Sequence, residues 1–256
     1  MKKAKNSLLA LACGDSYGSH YEMEGLMGCR FPISSLPNIP AFPNTTDDTK
    51  MATILLKHFE KYRTLKKDIL LNEYKYWAKT EGDKDGIGIH TKEVLLRGKT
   101  DKNSQGNGAL MRVLPFGVAL VEDGYSFEEA VELMYEDSKL THENETIYIS
   151  NKLCLDLALS GVKVLEKKEY EDILKRVNEG SDAWVLNTLH VVIEALKTKR
   201  KFLTGFKYIT SKGGDTDTNC AIFGAILGAR KEISKELDIE KFVYIKNEEN
   251  NFWYNI

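Results

Sequence analysis

The sequence has 256 residues, 42% of them hydrophobic and 29% charged, with 36 Lys and Arg against 38 Asp and Glu. This is the composition of an ordinary soluble globular protein, long enough for one large core or two small ones. A formal net charge of −2 leaves no basic footprint for non-specific nucleic-acid binding, while leaving open a nucleic-acid substrate read by an active site. Cys13, Cys29, Cys154 and Cys220 form no CxxC pair and read as reduced thiols of a cytoplasmic protein.

Lys2, Lys3 and Lys5 followed by Leu8–Ala12 imitate a signal peptide, but the apolar run is shorter than the roughly 7–15 residues one needs. The stretch reads instead as a first core helix from Lys3 to Cys13, stopped by Gly14. No later run approaches the roughly 18 apolar residues of a membrane span. Gly14-Asp15-Ser16-Tyr17-Gly18 leads to Glu22, so two acids stand seven residues apart around a second glycine. Pro32, Pro37, Pro40 and Pro43 make residues 25–44 a loop, stiffest over 31–43. A loop this long inside a domain is usually functional.

Thr45-Thr46-Asp47-Asp48-Thr49 opens a helix through Phe59, with Thr46 or Asp47 as N-cap and acid in the first turn. A second helix is expected over Asp68–Lys79, with Ile69, Leu70, Tyr74 and Trp77 on one face. Residues 82–88 form a charged turn, and Thr91–Arg97 a short helix. Gly106-Asn107-Gly108 starts another helix, interrupted at Pro115. Further helices follow over Ser126–Lys139, Glu143–Glu166, Tyr170–Asn178, Ala183–Lys199 and Phe202–Ser211. Gly213-Gly214-Asp215-Thr216-Asp217-Thr218-Asn219 then enters an apolar, small-residue helix to about Arg230. The tail over 240–256 is charged and then aromatic. With no sustained strand alternation and no repeat, the expected fold is an all-α single domain of antiparallel and orthogonal helices over residues 1–256.

Three acidic stretches lie far apart in the chain: Asp15 with Glu22, Asp47 with Asp48, and Asp215 with Asp217. Each adjoins a helix end with hydroxyl or glycine neighbours, although capping and turn formation would account for the first two taken singly. Converged in one pocket, Glu22, Asp47, Asp48, Asp215 and Asp217 could not all ionise without cations. Two divalent cations would set four positive charges against five negative ones. Oxygen donors without sulfur or imidazole favour Mg²⁺ or Ca²⁺ over Zn²⁺, and Mg²⁺ fits the dinuclear site best. Such a site can orient a substrate diol and acidify a bound water, which predicts metal-assisted hydrolysis. Gly106-Asn107-Gly108 lets backbone N–H groups approach an anion at a helix start, or serves simply as a flexible turn. Arg112 reads as a structural ion pair. His142 stands beside a motif-like loop, while His20, His58, His90 and His190 give no triad or ligand spacing.

These motifs, with Thr141-His142, resemble in order and spacing those of the ADP-ribosylglycohydrolases, over about residues 4–230. The resemblance implies an all-α fold with two Mg²⁺ ions, Mn²⁺ being a substitute. It implies Thr46, Asp47, Asp48, Asp215, Asp217 and Thr218 as metal ligands, and Glu22, Asp47 and Asp217 as catalytic groups. It implies substrate contacts from Asp15, Ser104, Gly106, Asn107, Gly108 and His142. The implied reaction is hydrolysis of the bond between the distal ribose C1″ of ADP-ribose and an acceptor, the partner being an ADP-ribosylated protein or other acceptor. Ser104 stands where nitrogenase-regulating members resemble one another in having an aspartate; members acting on serine linkages look similar to this chain there. The acceptor linkage is thus left open. A hydrolase of a free ADP-ribose derivative or another phosphorylated nucleoside, and a catalytically silent ADP-ribose-binding relative, are the alternatives.

Overall fold

Two helices whose backbones touch set the frame. A computed structural model describes residues 1–177 and 182–243. In it α1 (Lys2–Ser19) lies against α12 (Thr216–Gly228), and every residue of α12 is buried. Glycine makes the contact possible: a Cβ on Gly14 would sit 2.2 Å from the Cys220 carbonyl oxygen, and one on Gly18 2.2 Å from that of Thr216. Gly224 of α12 meets the Ala10 carbonyl in the same way. Gly14 therefore does not stop α1, which runs to Ser19, six residues beyond the expected Cys13. Its penalty as a mid-helix glycine is offset by this close packing.

The remaining helices wrap this pair. They are α2 (Glu22–Leu26), α3 (Asp47–Tyr62), α4 (Lys67–Thr80), α5 (Ile89–Arg97), α6 (Leu110–Glu122) and α7 (Phe127–Ser138), then α8 (Glu145–Ser160), α9 (Glu171–Arg176), α10 (Val185–Thr198), α11 (Phe202–Lys212) and α13 (Ile239–Phe242). No strand occurs among the described residues; Gly106 and Trp184 form an isolated bridge. Nearly all the buried apolar side chains among the described residues join in one cluster, Leu36 and Val94 lying outside it. No helix among the described residues is long and apolar enough to cross a membrane.

Local chemistry explains most boundaries. Ser126 and Glu129 form a reciprocal capping box at the start of α7. Asn144 caps α8, and Gly98, at φ +66°, ends α5 in the left-handed region. Gly161, at φ +83°, ends α8 six residues before the expected Glu166, and Val162–Glu166 is a 3₁₀ turn. Pro115 does not interrupt α6: the helix continues through it, and residues 110–120 are all buried, so packing offsets the lost hydrogen bond. On α4, Leu70, Tyr74 and Trp77 are buried as expected, but Ile69 is exposed. Between residues 27 and 46 the only helical piece is a 3₁₀ turn at Ile33–Ser35, and Tyr17 Oη donates to the Pro37 carbonyl at 2.8 Å. The aromatic part of the tail (Phe252-Trp253-Tyr254) and Asn178 lie outside the described residues. All four cysteines are free, with Cys29 exposed and the others buried.

Candidate functional site

The packing of α1 on α12 brings two helix N-termini together, α3 and α12, and each carries acids in its first turn. Asp15, on α1, is the link. Fully buried, its carboxylate accepts from the backbone N–H groups of Thr46 and Thr49 at 2.9 and 3.2 Å. It also accepts from both threonine hydroxyls. Thr46 and Asp47 therefore do not cap α3 through their own side chains. The cap is borrowed from another helix, and it holds Asp47 and Asp48 in place. Burial raises the Asp15 carboxyl to about 6, against the downward pull of these hydrogen bonds.

Around this anchor the three acidic stretches converge. Asp48 Oδ2 accepts from the hydroxyls of Thr46 and Thr218, each at 3.2 Å, which ties α3 to α12. Asp47 Oδ2 accepts from Gly88 N–H at 3.2 Å, and its own N–H donates to the Asp85 carbonyl. Glu22, the first residue of α2, joins Asp215 and Asp217, one ligand atom from each lying within 4.8 Å of the others. Asp217 accepts from Thr218 N–H at 2.8 Å, and Thr216 Oγ1 donates to the Gly18 carbonyl. Asp47, Asp48, Asp215 and Asp217 are buried; Glu22 is half-buried, the most exposed of the five.

The electrostatics are unbalanced. Burial, and after it neighbouring acids, pushes Asp47, Asp48 and Asp217 well above the usual carboxylate range. Burial followed by Asp215 brings Glu22 to about 7, although its hydrogen bond with Asp217 pulls the other way. The strongest charged influences on these four groups come from carboxylates. Asp48 Oδ1 is buried with no hydrogen-bond partner. An orphaned carboxylate oxygen among oxygen-only donors fits a hard divalent cation, which supplies both the missing partner and the missing charge.

The glycine loop leads into α6 and reaches the acidic centre through Asn107. Asn107 Nδ2 donates to Asp215 Oδ2 at 2.7 Å and to Thr188 Oγ1 at 3.0 Å, so its side chain belongs to the acidic centre. Its backbone N–H donates to the Ala183 carbonyl and is not free for an anion. Gly106 and Gly108 lie against the buried ring of His142, which a Cβ on either would approach to 3.1 Å. Burial, then Arg112 and His90, holds His142 well below the usual histidine range, so its ring is neutral. Arg112 is the ion pair expected of it: fully buried, it bonds Asp137 through Nε at 2.8 Å and the Gly108 carbonyl through Nη1 at 2.8 Å. Ser104 is half-buried on the same loop and shares no hydrogen bond with the acids. The roles of Thr49, Asp85, Gly88 and Thr188 carry no sequence signal, because each acts through a residue remote in the chain.

Fold and site together define an all-α protein with an acidic, oxygen-donor centre of the kind that binds divalent cations. The chain belongs to the ADP-ribosylglycohydrolase family, whose model matches residues 1–237. A protein of Acanthamoeba polyphaga mimivirus named as an ADP-ribosyl glycohydrolase is 24% identical, over 89% of this chain and 86% of its own. The ADP-ribosyl-[dinitrogen reductase] glycohydrolase of Rhodospirillum rubrum is also 24% identical, over 89% of this chain and 85% of its own. A solved ADP-ribosylglycohydrolase-related protein complex contains a chain of the same fold, with a TM-score of 0.69 at 23% identity and 94% of each chain covered.

Proposed function

We propose that this protein is a Mg²⁺-dependent hydrolase that cleaves the bond between the distal ribose C1″ of ADP-ribose and an acceptor, reversing ADP-ribosylation in the cytoplasm. One observation carries the reading: acids from three remote stretches meet in a buried cluster where they raise one another's pKa, and Asp48 Oδ1 among them is orphaned. Thr46, Asp47, Asp48, Asp215, Asp217 and Thr218 would hold two cations, with Mn²⁺ able to replace Mg²⁺. When bound, such ions hold the ribose hydroxyls and lower the pKa of water beside them.

The chain's own groups do the rest. Glu22 is half-buried at the edge of the centre, where its carboxyl can exchange a proton with the attacking water or the departing acceptor. Asp47 and Asp217 orient the reacting groups from fixed helix N-termini. Gly106 and Gly108 admit the His142 ring against the loop, and this loop, with Asn107, His142 and Ser104, would line the substrate side of the centre. Asp15 supports the substrate site from behind by fixing α3.

The test offers purified protein arginine-, serine- and nucleic-acid-linked ADP-ribose with Mg²⁺, with EDTA, and as the Asp217→Asn and Glu22→Gln variants. ADP-ribose release should require Mg²⁺ and vanish in Asp217→Asn. Glu22→Gln should lower kcat by about 10²–10⁴-fold. Release that survives EDTA or Asp217→Asn would sink the two-cation mechanism. Binding of ADP-ribose with no release from any substrate would make the protein a silent relative.

A further inference from the structure

The C-terminal ends of α8, α10 and α12, at Ser160, Thr198 and Gly228, meet around one cavity of about 250 Å³. Leu157, Leu196, Ile226 and Leu227 give it apolar walls, and the exposed Val162 adds to them. Four cations line it as well, Lys199, Arg200, Arg230 and Lys231, and among the described residues no carboxylate does. Leu227 lies about 15 Å along α12 from Asp217, at 1.5 Å per helical residue. The cavity is therefore separate from the acidic centre.

Cations at helix C-termini have an ordinary use, since each end carries about half a negative charge. Two of the four are already engaged. Lys231 donates to the Arg200 carbonyl and pairs with Glu236 at 3.1 Å, and the Lys199 ammonium lies 4.9 Å over the Tyr208 ring. Arg200 and Arg230 are exposed, and neither guanidinium has an ion pair or hydrogen bond among the described residues. Four cations against Glu236 and three helix ends leave an excess of about one and a half positive charges. The Arg230 guanidinium also has a bed made for it. Gly161, at φ +83°, lies against it, and a Cβ there would come within 2.8 Å of Cζ, Nη1 and Nη2.

We infer that this cavity binds a small amphipathic anion: one aromatic ring or a short acyl chain that carries a carboxylate or a phosphate. The apolar walls take the body of such a ligand out of water, and planar guanidinium groups match the oxygens of either head group. At about 250 Å³ the cavity falls below the roughly 300–1,000 Å³ of pockets for drug-sized ligands, which sets the size of that body. A neutral apolar ligand would leave both arginines without a use, and free phosphate would leave the apolar walls bare. The site stands apart from the hydrolase reading, because it needs neither the cations nor the substrate of the acidic centre.

The test titrates hexanoate, phenyl phosphate, inorganic phosphate and 1-hexanol separately into the full chain in EDTA, with Ile and Leu methyl groups labelled for NMR. Hexanoate, phenyl phosphate or both should shift the methyl signals of Leu157, Leu196, Ile226 and Leu227. The tighter of the two names the head group. Inorganic phosphate and 1-hexanol should each bind at least about tenfold more weakly. The double variant Arg200→Gln, Arg230→Gln, whose substituted side chains are exposed, should lose at least about tenfold in affinity for the amphipathic anions. Its unliganded methyl spectrum checks that it is folded. The proposal is overturned if neither anion binds, if the shifts fall only on methyl groups elsewhere, or if the double variant binds as tightly as wild type. It is overturned equally if 1-hexanol or inorganic phosphate matches the amphipathic anions. Binding that appears only after residues 244–256 are removed would give the cavity to that segment instead of a small molecule.

Discussion

Asp15 shows how one buried side chain can fix the start of a helix that carries a site's acids. It spends its acceptor capacity on two backbone N–H groups and two hydroxyls at the start of α3. Asp15→Asn turns part of that acceptor into an amide donor facing other donors. It should cost about 2–3 kcal/mol, read from urea unfolding. Because the same bonds aim Asp47 and Asp48, Mn²⁺ affinity measured by calorimetry should fall about 10–100-fold. Unchanged Mn²⁺ affinity in a folded Asp15→Asn protein would show that α3 holds its acids unaided. From sequence this role is hidden, since Thr46 and Thr49 lie 31 and 34 residues away and nothing local links them to Asp15. Asp215 and Asp217 were legible by contrast, because alternating acids and hydroxyls ahead of a buried apolar helix have few structural uses.

Among elements, helices were legible where their signals are local. The helix expected from Ser126 starts there on a capping box, the one expected to end at Arg97 does so before Gly98, and the proline-bearing stretch is a loop apart from one 3₁₀ turn. Gly14 misled because a glycine that ends a helix and one that admits a second helix look alike in one dimension. Its reason is the Cys220 carbonyl, about two hundred residues away in sequence. Pro115 misled likewise, since the burial that sustains α6 across it is a tertiary property. The expectation for mutation follows. Gly18→Ala drives a methyl into the Thr216 backbone, which cannot rotate aside, and should cost about 3 kcal/mol with loss of Mn²⁺ binding. Gly88→Ala keeps the N–H that serves Asp47 and meets nothing within 4 Å, so its melting point should match wild type, a change within about 0.5 kcal/mol. Equal destabilisation by the two would contradict the close-packing account.

For the whole molecule, the buried acids tie folding to pH and to cations. In the native chain Asp15 is raised to about 6 and Glu22 to about 7, while Asp47, Asp48 and Asp217 stand well above the usual range. Unfolded, such groups titrate near 4. From roughly pH 4 to beyond 7 the native state therefore binds more protons than the unfolded one, so unfolding free energy falls as pH rises. In EDTA the protein should melt at a lower temperature at pH 8 than at pH 5.5. Added Mg²⁺ should raise the melting point more at pH 8, where the ions meet ionised ligands. Thermal scans in a grid of pH and Mg²⁺ check both; a melting point that climbs with pH in EDTA would contradict the buried-acid account. The contact between α1 and α12 also bears on how the chain is made. Thr216 bonds the Gly18 carbonyl across 198 residues of sequence, so α1 leaves the ribosome long before the helix that covers it exists. Its packing face must stay shielded, by provisional contacts or by a chaperone, until translation has passed α12. A nascent chain that has not yet delivered α12 lacks Asp215 and Asp217 and cannot assemble the acid cluster.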